Sequence, residues 1–281
     1  MRTALLTVLL MGSAEAGTTV EVWSRQAGTK ADTVFDRSGV RTVDLAKLPA
    51  VDEKRLDFQT GVTQSFHGVL LSTLLRDAPG APNDDVALLH FANGMQVPVA
   101  LTEVDALQAL IALGEFAPLK KKGAAKTDSR PIVFKGHKLV VSSGAHPKVA
   151  AGSSFSPWSH VDSLTGVEWV KGDAYWAQFT PQNASDSVKR GAAVFQGACG
   201  FCHGVRGVGA SEGWDFVKPL PVPKYRSKAA LFLHVRYREL DAPERGLMMP
   251  AFKEFTQKDA DAVHDWVSAI NAAPPFIYAP P

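Results

Sequence analysis

Cys199-Gly200-Phe201-Cys202-His203 sets two thiols three positions apart with an imidazole directly after the second, and Cys199 and Cys202 are the only cysteines in the chain. That spacing is about one helical turn, so both thiols can reach one edge of a single bound group while His203 turns toward its centre. Cys-x-x-Cys-His is the attachment pattern of a c-type haem, with the histidine as proximal iron ligand. Other readings exist. A zinc ribbon needs a second pair of cysteines. A disulfide between these two would close a very small, strained loop. A thioredoxin-like dithiol follows a strand, opens a helix and requires no histidine. Haem attachment uses all three residues and holds the group without a deep cavity.

Residues 1–16 read as a secretory signal: Arg2 supplies the charge, residues 4–11 the apolar run, and Ala14-Glu15-Ala16 the small-x-small cleavage site. The apolar run is too short to span a bilayer, and no later stretch has the length to do so. The mature chain is therefore expected to begin near Gly17, in a bacterial periplasm, with no stable membrane insertion. No cysteine stands at the cleavage site to take a lipid. Exported proteins usually pair their thiols. Covalent haem attachment accounts for a lone pair placed where a disulfide is least useful.

A second axial ligand is needed on the other face of the iron, and Gly246-Leu247-Met248-Met249-Pro250-Ala251-Phe252 offers thioethers near the chain's end. Ser187 to Ala198 reads as a helix leading into Cys199, and Gly204, Gly207 and Gly209 follow as a loop. Ser227 can cap a helix over 228–240, and Thr256 with Asp259 can cap another over 257–271. In that order these parts resemble a class I monohaem cytochrome c domain over residues 185–272. The resemblance implies Met249, which directly precedes the proline, as the axial ligand, with Met248 as the alternative. It implies a proline carbonyl, from Pro219 or Pro221, on the proximal imidazole. It also implies that Gly191 and Phe195 cross Trp266 of the last helix, where a small residue lets two backbones approach. His234 and His264 are further candidate ligands, but both fall within the expected helices, where a surface or packed face is the expected place. Met ligation raises the reduction potential and fills the sixth position. That favours electron transfer over peroxidase or oxygenase chemistry.

Residues 17–180 are long enough for a core of their own. Short β-rich runs cover 19–23, 86–91, 96–101, 131–134 and 138–142, and apolar periodicity predicts helices over 68–77 and 104–112. The expected class is α+β with a mixed or mostly antiparallel sheet, followed by an all-α domain over 181–281. Several patterns here resemble the molybdopterin-binding domain of sulfite-oxidase-like enzymes over about 36–170. They are Val43-Asp44-Leu45 with Leu48-Pro49, Phe66-x-Gly68-Val69-x-Leu71-x-x-Leu74-Leu75, Phe91-Ala92-Asn93-Gly94-Met95, Arg130 to Phe134, and Leu164-x-Gly166-Val167-Glu168-Trp169. Those enzymes hold molybdenum with one protein cysteine, and the equivalent stretch 56–61, Leu-Asp-Phe-Gln-Thr-Gly, has none. A molybdenum cofactor is not expected. The region reads as a cofactor-free scaffold, docking surface or small-ligand binder.

His67, His90, His137, His146 and His160 lack ligand spacing and are assigned structural or surface roles. Loops are expected at 120–122, 142–146 and 153–160. The formal charge is only +2, which gives no reason to expect nucleic-acid binding. Lys218, Lys224, Arg226, Lys228, Arg236 and Arg238 cluster after the haem motif, where they can steer an acidic redox partner or form a solvated face. Residues 180–184 form a short connection between domains that can pack together, with Tyr175 and Trp176 at the contact, and 274–281 form a proline-rich tail. The leading expectation is one covalent haem c carrying electrons between donor and acceptor proteins. The alternatives are an enzyme or subunit of the sulfite-dehydrogenase type and a haem-based sensor.

Overall fold

The computed structural model describes residues 18–28, 35–57, 62–113, 137–141, 161, 163–238 and 249–274. In chain order the first part runs β1 (Thr19–Ala27), β2 (Phe35–Asp44), β3 (Ala50–Asp57), β4 (Val62–Leu70), α1 (Leu71–Asp77), β5 (Val86–Phe91), β6 (Gln96–Ala100), α2 (Val104–Leu107), β7 (Leu110–Leu113), β8 (His137–Val140), β9 (Leu164–Val170) and α3 (Gly172–Ala177). The second part is α4 (Asp186–Val194), a π-type turn (Phe195–Cys199), the small hairpin β10 (Gly204–Val205) and β11 (Val208–Gly209), α5 (Val222–Tyr225), α6 (Lys228–Arg236) and α7 (Gln257–Ala272). A β-rich region thus precedes a helical one.

Two sheets build the β-rich region. One has strand order β2-β1-β9-β5-β6, the other β3-β4-β7-β8. β1 and β9 are parallel while the remaining named pairings are antiparallel, so the larger sheet is mixed. β5 and β9 are buried along nearly their whole length, as strands covered on both faces must be. β2 is the edge, and its largely exposed run carries Asp36, Arg37 and Arg41, charges that discourage pairing with another chain.

Two expected helices are partly strand. The segment 68–77 stays extended through Leu70 and turns helical only at Leu71. Gly68 sits opposite Ala112, where an added Cβ would run into the Ile111 carbonyl, so close strand pairing holds it. The segment 104–112 makes one helical turn, ends at Gln108 in the left-handed region (φ 45°), and re-enters the sheet as β7. Leu110-Ile111-Ala112-Leu113 is a short apolar run whose periodicity suits either state, and pairing with both β4 and β8 decides it. The expected features at 1–16, 120–122, 131–134, 142–146 and 153–160, nearly all of the tail, and Met248 lie outside the described residues.

Local signals in the helical region are realised closely. Ser185 accepts from Val188 N at the start of α4, and Ser227 from Ala230 N at the start of α6. Thr256 and Asp259 form a reciprocal capping box on α7. α4 crosses α7 at Gly191, where an added Cβ would strike the Ala262 carbonyl and lie 2.5 Å from Trp266 Cβ. Trp266 is wholly buried, its ring 4.7 Å from that of Phe195. Its indole N–H donates to the Phe179 carbonyl at 2.6 Å. Tyr175, Trp176, Phe179 and Phe195 continue this aromatic cluster into the β-rich region. Tyr175 and Trp176 therefore stand at the contact between the two parts.

Candidate functional site

The helix that begins at α4 widens just before the two thiols. Gly200 N donates to the Phe195 carbonyl at 2.7 Å, a five-residue closure, and Cys202 N and His203 N both donate to the Cys199 carbonyl at 3.1 and 2.9 Å. One tight turn therefore carries both cysteines and the histidine. All three line a cavity of about 830 Å³, which Met249 and Pro250 also reach. Its remaining walls are mainly apolar, among them Phe216, Val222, Leu231, Val235 and Phe252. Cofactor pockets span about 300–1,000 Å³, so this one can take a porphyrin.

The thiols are not built for redox exchange. Burial pushes both Cys199 and Cys202 up to about 12. For Cys202 the Glu212 carboxylate adds to the effect. Reactive dithiols need the opposite, a lowered pKa in an electropositive setting. No group of three or more His, Cys, Asp or Glu is placed to hold a metal ion among the described residues.

His203 is held in one tautomer. Its Nδ1 lies 2.7 Å from the Trp214 carbonyl, and a carbonyl only accepts, so Nδ1 carries the proton and Nε2 keeps its lone pair. Burial pulls its pKa down, favouring the neutral ring that a metal requires. Gly213 packs against the ring face so closely that any Cβ there would collide with it. The expected partners Pro219 and Pro221 are not used. Asp215 explains why: its carboxylate accepts from the backbone N–H groups of Arg206, Gly207, Val217 and Lys218 at 2.6–3.1 Å. That knot turns the loop early and presents Trp214, five residues before Pro219, to the imidazole. Arg206, itself left-handed at φ 56°, ties the hairpin to the end of α7 through the carbonyls of Ile270, Ala273 and Pro274. Gly213, Trp214, Asp215 and Arg206 carry no motif that would have announced these roles.

Of the two helical histidines, His234 lines the cavity, while His264 lies on α7 away from it. Among the basic cluster, Lys218, Arg226 and Arg238 reach the cavity wall. Lys228 is paired with Asp265 at 2.6 Å and Arg236 donates to the Phe255 carbonyl. His67 sits on β4 with Asp52 at 2.8 Å.

His90 belongs to a buried network that sequence reading missed. Its Nε2 lies 2.9 Å from Glu168, which also takes Arg25 Nε at 2.6 Å. Burial works to raise the Glu168 pKa, but the hydrogen bond with His90 and the Arg25 charge prevail and hold it at about 2. Gln96 lies 3.3 Å from His90 and accepts from the Tyr175 hydroxyl at 2.8 Å.

The helical part is similar to cytochrome c domains, a class of modules that hold haem c and serve electron transfer. Residues 186–267 match the family model for cytochrome C oxidase, cbb3-type, subunit III. No curated protein matches the chain. No helix among the described residues is long and apolar enough to cross a membrane.

Proposed function

We propose that the chain is an exported monohaem c-type cytochrome that carries electrons between periplasmic redox proteins. One observation carries this reading: Cys199, Cys202, His203 and Met249 all face one apolar cavity of about 830 Å³. There Cys199 and Cys202 would hold a single haem covalently, and His203 and Met249 would ligate its iron. Haem supplies one-electron exchange between ferrous and ferric iron. The chain's own residues do the rest. Trp214 orients His203, Met249 keeps substrates off the metal, and the apolar walls exclude water. The β-rich region is a scaffold or docking module without a metal of its own. Its likeness to molybdopterin-binding domains, combined with the absence of their cysteine, supports that role.

The test is expression with haem-attachment machinery, followed by haem quantification on the denatured chain and elemental analysis. One covalent haem per chain without molybdenum is the expected result. Stoichiometric molybdenum would replace this reading with a sulfite-dehydrogenase-type enzyme. Met249→Ala should alter the ferric spectrum and lower the potential. An unchanged spectrum would remove Met249 as ligand.

A further inference from the structure

The β-rich region touches the haem-binding loop at two backbone positions, one on the turn between β5 and β6 and one at the first residue of β6. Gln96 N donates to the Phe201 carbonyl at 3.0 Å, and Ser211 N donates to the Gly94 carbonyl at 2.8 Å. Phe201 lies two residues before His203, and Ser211 two residues before Gly213. Gly213 N in turn donates to the Cys202 carbonyl at 2.7 Å. The turn therefore grips both arms of the loop that seats the imidazole: the arm carrying His203, and the arm carrying the glycine and the Trp214 carbonyl against which it rests.

The grip is stiff and close. Phe91 N bonds the Met95 carbonyl, Gly94 N bonds the Phe91 carbonyl, and Met95 N bonds the Asn93 side chain. Gly94 adopts φ 86°, and an added Cβ would lie 2.8 Å from Ser211 Oγ and 2.9 Å from Glu212 N. Gln96 is 3 % exposed, and the Tyr175 hydroxyl pins its side chain. A void of only about 10 Å³ remains between Gln96, Tyr175, Phe201 and His203, about the room of one water.

We propose that Gly94 and Gln96 are positioning residues for the proximal side of the haem. By holding the loop around His203 they set the His203–Trp214 hydrogen bond and the dryness around it, and so the reduction potential. This rests on the electron-carrier reading above. The hydrogen bond on the ligand's second nitrogen governs its orientation and basicity, and burial together with such bonds is how a protein tunes haem potential. The β-rich region then acts as part of the redox centre, beyond serving as a tether.

The experiment uses the full haem-loaded chain and compares Gly94→Val, Gln96→Ala and Ile111→Ala, the last a buried residue of the other sheet. Two quantities are read: the reduction potential, and hydrogen exchange at His203 Nδ1 by nuclear magnetic resonance of the ferric form. Gly94→Val should speed that exchange at least tenfold. It should also shift the oxidised-to-reduced ratio at fixed potential by about tenfold, which is about 59 mV for one electron. Gln96→Ala should move both in the same direction by less. Ile111→Ala should lower stability and move neither. If Gly94→Val does not fold, Gln96→Ala decides alone. Variants that match the wild type, or shift no more than Ile111→Ala, overturn the positioning role while leaving the electron carrier intact. A wild-type chain without covalent haem overturns both.

Discussion

The β-rich region is organised by strands buried along nearly their whole length, whereas the cytochrome domain sets its helices and loops along an apolar cavity that the Cys-x-x-Cys-His residues line. Leu74, Leu88, Leu89, Ile111 and Val167 are fully buried in the first, alongside an ionic network with no local sequence signature. The second lines a cavity of about 830 Å³ with apolar side chains and two half-buried thiols. The two parts share one buried apolar cluster and the Trp266–Phe179 hydrogen bond, yet each has its own feature to perturb, the ionic network in one and the thiol-lined cavity in the other.

The largest expected effect comes from removing the anchors. Cys199→Ala with Cys202→Ala should abolish covalent haem and strip hydrogen-exchange protection from α4, α6 and α7, leaving the larger sheet protected. Equal loss in both regions would erase the contrast. Next is Trp266→Ala, which removes the indole at the α4–α7 crossing. It should cost about 3–5 kcal/mol by denaturant unfolding of the haem-loaded chain, and a cost under about 1 kcal/mol would show that the crossing is not the keystone of that domain.

Acid should probe the β-rich side. Glu168 stays ionised in the fold down to about 2, against an ordinary value of 4.5. Between those acidities the unfolded chain binds the extra proton, so stability rises with pH there. The contribution is complete above about 4.5, is lost as pH falls through about 2, and amounts to roughly 3 kcal/mol. Glu168→Gln should flatten that part of the pH–stability profile, and an unchanged slope would place the acid sensitivity elsewhere. The smallest effect belongs to Thr256→Ala, which breaks the capping box on α7 and should cost about 1 kcal/mol. Its thermal shift should appear in the cytochrome domain's transition.

The helical half was far more legible than the β-rich one. Ser227, Thr256 and Asp259 cap helices through contacts only three residues long, so adjacent residues reveal them. The Gly191–Trp266 crossing was implied by the resemblance to class I cytochrome c domains, and the folded chain makes it. The short apolar runs at 68–70 and 110–113 were not legible, since a few apolar residues suit strand or helix until partners are chosen. Arg25 and Glu168 are 143 positions apart, and no local pattern joins them. The proximal carbonyl was expected from Pro219 or Pro221. Trp214 supplies it instead, beside the Asp215 carboxylate that accepts from four backbone N–H groups of the same loop.

By itself the sequence determined the short-range features: two thiols and an imidazole within five residues, a thioether before a proline, and the helix caps at Ser227 and Thr256. These are short-range facts, set by covalent spacing and helical pitch. Only the tertiary structure decided what surrounds that chemistry. It gathered Met249 and the apolar walls into one cavity, gave the imidazole its carbonyl, and laid the β5–β6 turn across both arms of the proximal loop. The contacts of that turn join residues more than a hundred positions apart, Gln96 with Phe201 and Gly94 with Ser211, and only the folded chain brings them within hydrogen-bonding distance.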